Sequence, residues 1–246
     1  MFNDLQFRFL VKVAPGHGWS PSEQYQGKSK LSTLLGNTLL GDVAGKTVVD
    51  FGCGTGTEAI ELAQNGARKV LGLDIQESGL KLARERARSA SVDAVCEFCS
   101  DTNELADLII SLDAFEHFQD PESVLRKMYS LLKPGGAVLA SFGPTWFHPY
   151  GGHLFSCFPW AHVLLSEEAL IRWRSTFRTD GAHHFGEVAG GLNQMTIARF
   201  ERLVRRTKFS IEVLETVPIR MLELVHNRLT REFTTAVVRC KLVKPA

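Results

Sequence analysis

Short apolar runs alternate with amphipathic segments along most of the chain. In the amphipathic segments apolar side chains recur at helical spacing, as Leu80, Ala83 and Ala87 do. The pattern predicts strands at 48–50, 68–74, 92–98, 106–112, 137–142, 211–217 and 233–243, and helices at 31–40, 57–64, 76–88, from 121 to about 132, and 199–206. This alternation is typical of an α/β fold, and we expect a Rossmann-like, doubly wound, seven-stranded and mostly parallel sheet.

The segment 143–194 departs from this rhythm. It is rich in aromatic residues and holds five of the eight histidines. It follows the fifth predicted strand, at the carboxyl edge of the sheet, where open α/β folds bind ligands. We therefore expect an insertion within one domain spanning 1–246. It forms either a cap over a small-molecule pocket or the interface of a homodimer, and the two roles are compatible.

Composition and charge narrow the classes of function. The chain has 246 residues, of which 44% are hydrophobic and 22% charged, and its net charge is +1 with neutral histidines. A general nucleic-acid binder needs a basic stripe, and the sequence has none. Charged residues interrupt the apolar N-terminus, so we expect neither a signal peptide nor a membrane span, and we predict a cytoplasmic location.

Five cysteines occur, and Cys96 and Cys99 have the spacing of a CxxC motif. The alternatives are a structural pair, redox chemistry or half of a zinc site. No second CxxC accompanies them, and side chains three apart in a strand point to opposite faces. The spacing therefore favours a structural role.

A glycine-rich turn at 52–56 follows the first predicted strand. Glycine is needed where the backbone turns sharply and approaches a ligand closely. The spacing is Gly-x-Gly-x-Gly, preceded by Asp50, and Thr57 stands where a dinucleotide-binding motif has its third glycine. An acid at this position suits a ligand with an amino group. The turn resembles motif I of the class I S-adenosylmethionine-dependent methyltransferases.

The resemblance extends in order over residues 25–142 and implies the cofactor S-adenosylmethionine. It implies that Asp74 binds the ribose hydroxyls, that Asp101 and Thr102 meet the adenine, and that Leu112 lies under the methionine half. An NAD enzyme also has an acid at the position of Asp74. The implied cofactor-binding residues are Asp50, Gly52, Cys53, Gly54, Gly56, Asp74, Ile75, Asp101, Thr102, Leu112, and Tyr25 and Lys28 near the cofactor's carboxylate.

The run Leu-Asp-Ala-Phe-Glu-His directly after the fourth strand carries the candidate chemistry. If it turns helically, Asp113, Glu116 and His117 share one face. The run resembles the Glu-x-x-Glu-His stretch of the ubiquinone-pathway O-methyltransferases and the small-RNA 2′-O-methyltransferases. That resemblance implies a divalent metal, Mg²⁺ or Zn²⁺, held by Asp113, Glu116, His117 and the later His153. In the alternative without a metal, His117, His153 and Glu116 supply acid or base catalysis.

The expected reaction is methyl transfer to a hydroxyl of a small aromatic or polycyclic molecule. Aromatic residues of the segment 143–194 would supply stacking surfaces for that acceptor. Methyl transfer to nitrogen or carbon, and a non-catalytic protein that binds S-adenosylmethionine, remain alternatives. The missing third glycine argues against an NAD-dependent oxidoreductase.

Overall fold

A sheet of seven strands runs through the centre of the protein. The computed structural model describes residues 2–14, 28–36, 41, 43–188 and 190–246. The strands are β1 (Thr47–Phe51), β2 (Lys69–Leu73), β3 (Cys96–Cys99), β4 (Ala106–Leu112), β5 (Leu132–Phe142), β6 (Ser210–Pro218) and β7 (Thr235–Val243). The α-helices in these ranges are α1 (Phe2–Val13), α2 (Thr57–Gln64), α3 (Glu77–Ser89), α4 (Pro121–Leu131), α5 (Ala161–Leu164), α6 (Glu167–Arg174), α7 (Ile197–Arg205) and α8 (Arg231–Thr234).

The strand order is β3-β2-β1-β4-β5-β7-β6. All strands run parallel except β7, which is antiparallel to β5 and β6. The central strand β4 is apolar on both faces: Ile109 belongs to one hydrophobic cluster, and Leu108 and Ile110 belong to the cluster on the other side. The predicted doubly wound, mostly parallel sheet is thus confirmed. The order reverses between β1 and β4, where such sheets open a ligand crevice.

Three strands begin two or more residues away from the predicted positions. Strand β3 starts at Cys96 instead of 92, because the Cys96 N–H closes a turn onto the Val92 carbonyl (2.9 Å). Strand β5 starts five residues earlier than expected, because Leu132 already pairs with Ala106 of β4. Strand β7 starts at Thr235, because the residues before it form the helical turn α8. Hydrophobic pattern alone places such boundaries poorly.

Helix α4 begins where the sequence indicates. Asp120 precedes it, and the Asp120 Oδ1 accepts a hydrogen bond from the backbone N–H of Ser123 (3.1 Å). Pro121 occupies the first turn, where its missing N–H costs nothing. The buried Leu125 and Met128 then hold the helix against the sheet.

Residues 143–194 fold together with the N-terminal helix. Buried Phe155, Trp173 and Phe185 form a third hydrophobic cluster with Leu10 of α1. Hydrogen bonds support this packing, including one from the Trp173 Nε1 to the Ala14 carbonyl (2.9 Å). Most of these aromatic side chains therefore pack on each other and on α1.

The cysteines are reduced, and the CxxC pair does not converge. Cys96 is buried in the hydrophobic cluster on one side of the sheet, whereas Cys99 packs against the cluster on the other side. This is the alternation expected of a strand. Within the described ranges, no helix combines the length and the apolar character that a membrane span requires.

Candidate active site

A cavity of about 720 Å³ lies at the carboxyl ends of β1 to β4. It extends from the ends of β2 and β3, past the glycine turn, to the turn that follows β4. Four of the predicted cofactor residues line it: Gly52, Asp74, Ile75 and Asp101. The other walls come from Asp113, His117 and Phe118, from the start of α4, and from residues 186–188, 190 and 191.

The glycine turn has the backbone conformation that its sequence demands. Gly52, Gly54 and Gly56 have φ values of +87°, +51° and +78°, in the left-handed region that glycine tolerates best. At Gly56 a side chain would also lack space, because a Cβ would lie 2.8 Å from the Cβ of Ala83. At Gly54 a Cβ would meet nothing within 4 Å. The turn is thus closed on the α3 side and open at Gly54.

Asp74 holds the turn in place. Its Oδ2 accepts a hydrogen bond from the N–H of Gly54 (2.8 Å), and its Oδ1 accepts one from the N–H of Gln76 (2.8 Å). Each carboxylate oxygen has a further lone pair. The same carboxylate therefore fixes the glycine turn and keeps acceptor capacity for ligand hydroxyls beside it.

Asp50 and Cys53 lie in the protein interior. Asp50 is buried, and its Oδ2 has no hydrogen-bond partner among the described residues. Burial, and then the charge of Glu58, raise the pKa of Asp50 well above its usual range. Cys53 is buried in the hydrophobic cluster, and its N–H donates to the Leu73 carbonyl (3.0 Å). The Cys53 side chain thus supports the turn from the core.

The adenine side of the predicted site is exposed. Asp101 forms an ion pair with Lys127 of α4 (Oδ1 to Nζ, 2.7 Å), which the sequence reasoning missed. The Lys127 Nζ also donates to the carbonyl of Thr102 (2.9 Å). Thr102 is half-buried, and its Oγ1 accepts from the N–H of Glu104 (3.2 Å). Lys127 therefore fixes the loop after β3 against α4.

Leu112 is the last residue of β4 and is half-buried, packed against the hydrophobic cluster that contains Val48. Ile75, at the other end of the cavity, is 92% exposed. An apolar side chain so exposed at a cavity wall suits contact with a flat apolar ligand group.

The N-terminal contact differs from the predicted one. Tyr25 lies outside the described residues, and Lys28 is exposed. Lys30 instead reaches the site, where its Nζ lies 3.1 Å from the Oδ2 of Asp113. Lys30 precedes a π-helical turn (Leu31–Leu35) that ends at Gly36. Of the predicted helix 31–40, the described residues form this one turn, and 37–40 lie outside the described residues.

Lys30 is surrounded by carboxyl groups. Besides Asp113, three more lie within its electrostatic reach: Asp50, Glu58 and Glu116. The sequence did not distinguish Lys30 from Lys28, because a tertiary contact with Asp113 determines which lysine reaches the site.

The segment after β4 is a turn and not a helix. The N–H of His117 donates to the Ala114 carbonyl (2.9 Å), and Asp113 has a left-handed φ of +50°. As a result the predicted quartet does not converge. Glu116, His117 and His153 bring ligand atoms within 4.8 Å of one another, but Asp113 is not in this group and pairs with Lys30. The expectation that Asp113 shares a face with the other two was wrong because it assumed helical geometry.

Two of the three converging side chains have strongly shifted pKa values. Burial, and then the charge of Asp113, raise the pKa of Glu116 to about 8. Burial lowers the pKa of His153 to about 3. The Oε2 of Glu116 and the Nε2 of His153 are both buried without a hydrogen-bond partner in the described part of the chain. Buried polar atoms without partners are rare, and they mark positions where a ligand, ion or water belongs.

His117 is the member of this trio that lines the cavity. Its Nδ1 lies 2.8 Å from the carbonyl oxygen of Gly191. A carbonyl can only accept, so in the neutral imidazole the Nδ1 carries the proton and the Nε2 keeps a lone pair. Gly191 also lines the cavity, together with residues 186–188 and 190, which we call the roof.

The aromatic wall of the cavity comes from residues that the sequence reasoning did not select. Phe51 at the end of β1 and Phe118 after His117 both line it, with ring centroids 5.9 Å apart in a T-shaped arrangement. The aromatic side chains of 143–194 supply little of this wall, because their cluster lies against α1. The sequence did offer one indication of this wall, because Phe118 directly follows the predicted site residues Glu116 and His117.

The sheet order, the glycine turn and the acids after β2 and β3 define the fold of the class I S-adenosylmethionine-dependent methyltransferases. Residues 42–145 match a family model described as "Methyltransferase domain". The ubiquinone biosynthesis O-methyltransferase of Acinetobacter baumannii is 32% identical over 148 residues, which is 56% of this chain and 62% of that protein. The chain is therefore similar to this class of methyltransferases, and the family model covers residues 42–145 of its 246.

Solved structures resemble the chain over nearly its whole length. Magnesium protoporphyrin IX methyltransferase from Synechocystis PCC 6803 with bound SAH matches with a TM-score of 0.57 and 18% identity, covering 99% of this chain and 95% of that one. The [4+2]-cyclase SpnF matches with a TM-score of 0.60 and 16% identity, covering 99% and 94%. Likeness at such identities shows the fold alone, and these two proteins are named for different reactions. The chain spans 62% of the length of the first curated relative.

Proposed function

We propose that the protein transfers the methyl group of S-adenosylmethionine to a hydroxyl group of a small molecule. The observation that carries this proposal is the position of His117. Its Nε2 is kept as an acceptor by the bond from Nδ1 to Gly191, and the side chain lines the same cavity as Asp74 and the glycine turn. In its neutral form this imidazole would accept the proton that a hydroxyl must lose when it receives a methyl group.

The cofactor would lie along the carboxyl edge of the sheet. Asp74 would accept the ribose hydroxyls, and Ile75 and Asp101 would meet the adenine. At the other end, Lys30 and Asp113 offer opposite charges 3.1 Å apart. The methionine half carries a carboxylate and an ammonium group, and we propose that it inserts between these two side chains. Two charge-assisted contacts would then replace one.

Methyl transfer is an in-line displacement. The acceptor oxygen attacks the methyl carbon, a C–O bond forms as the C–S bond breaks, and S-adenosylhomocysteine leaves. We propose that the hydroxyl proton goes to the Nε2 of His117. Glu116 is poorly suited as the base, because with a pKa of about 8 it retains its proton at neutral pH in the metal-free site. The protein's main contribution is the alignment of oxygen, methyl carbon and sulfur.

A divalent metal is the second candidate for managing that proton. Glu116, His117 and His153 supply one carboxylate and two imidazoles, and two of their buried donor atoms have no other partner in the described ranges. Such a set fits Zn²⁺ or a similar transition metal better than Mg²⁺, which prefers oxygen ligands. A bound metal would lower the pKa of a coordinated hydroxyl.

The apolar lining of the cavity and the net charge of only +1 support a small aromatic or polycyclic molecule as the methyl acceptor. Apolar contacts come from Phe51, Phe118 and Val124, and Val188 adds one from the roof. Because residues 186–188, 190 and 191 line the cavity, we also propose that the segment 143–194 acts as a cap. The name of the Acinetobacter baumannii relative, an O-methyltransferase, supports oxygen as the acceptor atom.

Methyl-labelled S-adenosylmethionine and a panel of phenols, catechols, alcohols, amines and carbon acids test the proposal. We expect label in hydroxyl acceptors and a loss of about 10²- to 10⁴-fold in kcat for His117→Gln. The matched control His184→Gln changes an exposed histidine and should leave activity unchanged. Transfer to amines or carbon alone would refute the O-methyl assignment. Binding without transfer to any acceptor would favour a non-catalytic protein.

Exhaustive chelation and elemental analysis test the metal separately. Full activity in protein that contains no metal would leave His117 as the base. Loss of activity on chelation, restored by Zn²⁺ or Mn²⁺, would support the metal at Glu116, His117 and His153.

A further inference from the structure

The turn that carries Glu116 and His117 is held from outside. Between Asp113 and Phe118 the chain is irregular, and its one internal backbone hydrogen bond in the described structure runs from the His117 N–H to the Ala114 carbonyl. A short irregular turn with free carbonyls does not by itself fix a side chain to the tolerance that catalysis requires. Its geometry therefore depends on what binds those carbonyls.

Asn193 binds three of them. Its Nδ2 donates to the carbonyls of Phe115 (2.6 Å) and Phe118 (2.7 Å), and its backbone N–H donates to the carbonyl of Glu116 (2.9 Å). Both neighbours of the Nδ2 are carbonyl oxygens, which only accept, so the orientation of the amide follows from chemistry. One side chain thus ties together the two ends of the segment that contains His117.

Asn193 is itself anchored. Arg199 of α7 donates to the Asn193 carbonyl, and Gly191, two residues earlier, accepts the hydrogen bond from the His117 Nδ1. The approach at Gly191 is close, because a Cβ there would lie 2.7 Å from the His117 carbonyl oxygen. Residues 191–193 therefore contact both the backbone and the imidazole of the catalytic turn.

We infer that Asn193 is a positioning residue for methyl transfer, which sets the direction of the His117 imidazole without touching the substrate. The inference rests on the proposed function, in which His117 receives the proton or binds the metal. Because Gly191 belongs to the roof of the cavity, the contacts of residues 191–193 link the roof to the catalytic turn. Sequence reasoning did not select Asn193, which lies at the end of a segment that reads as a loop.

The test replaces Asn193 by Asp, which keeps the shape but puts a carboxylate against two carbonyl oxygens. With a hydroxyl acceptor from the panel, we expect kcat to fall about 10²-fold, as for a misplaced catalytic group. The affinity for S-adenosylhomocysteine should be unchanged, because Asn193 does not line the cavity. Asn193→Ser, which keeps one donor, should fall less. The matched control Asn65→Asp alters an exposed amide that also donates to a carbonyl, that of Glu61 (2.9 Å), and should behave as wild type.

A second readout is independent of the acceptor. Nitrogen NMR of histidine-labelled protein, with S-adenosylhomocysteine bound, reports which ring nitrogen of His117 carries the proton. We expect the Nδ1–H form in the wild type and a mixture of forms in Asn193→Asp. Circular dichroism and urea denaturation establish whether each variant is folded. If Asn193→Asp does not fold, Asn193→Ser is used for the NMR measurement instead.

Two results would overturn the inference. One is an unchanged His117 spectrum and unchanged kcat in a folded Asn193→Asp protein. The other is a loss of stability and of cofactor affinity together, with the His117 signal as in wild type, which is what a merely structural role predicts. If the panel shows no methyl transfer at all, the proposed function fails, but the NMR readout still decides the role of Asn193.

Discussion

Asp74 offers the sharpest quantitative prediction for cofactor binding. Its two oxygens each accept a backbone N–H at 2.8 Å, from Gly54 and from Gln76. In Asp74→Asn one oxygen becomes an NH₂ group, which faces an N–H donor instead of accepting from it. A hydrogen bond to a charged group contributes about 1.5–3 kcal/mol, so the affinity for S-adenosylhomocysteine should fall roughly 10- to 150-fold. The ribose hydroxyls lose an acceptor as well, which acts in the same direction.

Isothermal titration calorimetry with S-adenosylhomocysteine measures this loss, and Asp93→Asn is the control. Asp93 is exposed at the opposite edge of the sheet, so its variant should bind as wild type does. Urea denaturation shows whether the Asp74 variant remains folded at the assay temperature. If a folded Asp74→Asn protein bound S-adenosylhomocysteine as tightly as wild type, Asp74 would not be the residue that joins the glycine turn to the ribose.

Three further predictions concern the turn, the N-terminal lysine and the buried histidines. Gly56→Ala should cost about 2–5 kcal/mol in urea denaturation, from a left-handed φ and a 2.8 Å contact, whereas Gly135→Ala, with a similar φ and open space, should cost about 1–2 kcal/mol. Lys30→Met should weaken S-adenosylhomocysteine binding about 10-fold in calorimetry, while Lys28→Met should not. Burial lowers the pKa of His148 to about 4, so the unfolded chain binds more protons below pH about 6.5, and stability should fall as the pH drops from about 6.5 towards 4; urea midpoints that stay constant over this range would contradict this.

Four residues of the proposed cofactor site were predicted from the sequence and line the cavity. The glycine spacing, the acid that ends β2 and the alternation of strands and helices are local signals, because each depends on backbone conformation or on burial of a nearby face. They led to Gly52, Asp74, Ile75 and Asp101, all of which line the cavity. The strand boundaries that failed, at β3, β5 and β7, depend on pairing with other strands or on turns, which hydrophobic pattern does not encode.

The positions of the residues around Glu116 and His117 depended on the tertiary structure. Asp113 was expected with Glu116 and His117, but the chain turns instead of coiling there, and Lys30 draws Asp113 away. The contacts between Lys30 and Asp113, and between Asn193 and the catalytic turn, join residues far apart in the chain. They form only in the folded protein.

The sequence by itself determined an α/β sheet and a glycine turn and predicted the class of cofactor, because these follow from local spacing. Tertiary structure alone decided which lysine reaches the site, which histidine faces the cavity, and that the aromatic segment packs mainly on α1. The physical reason is that those outcomes depend on burial and on hydrogen bonds between distant segments.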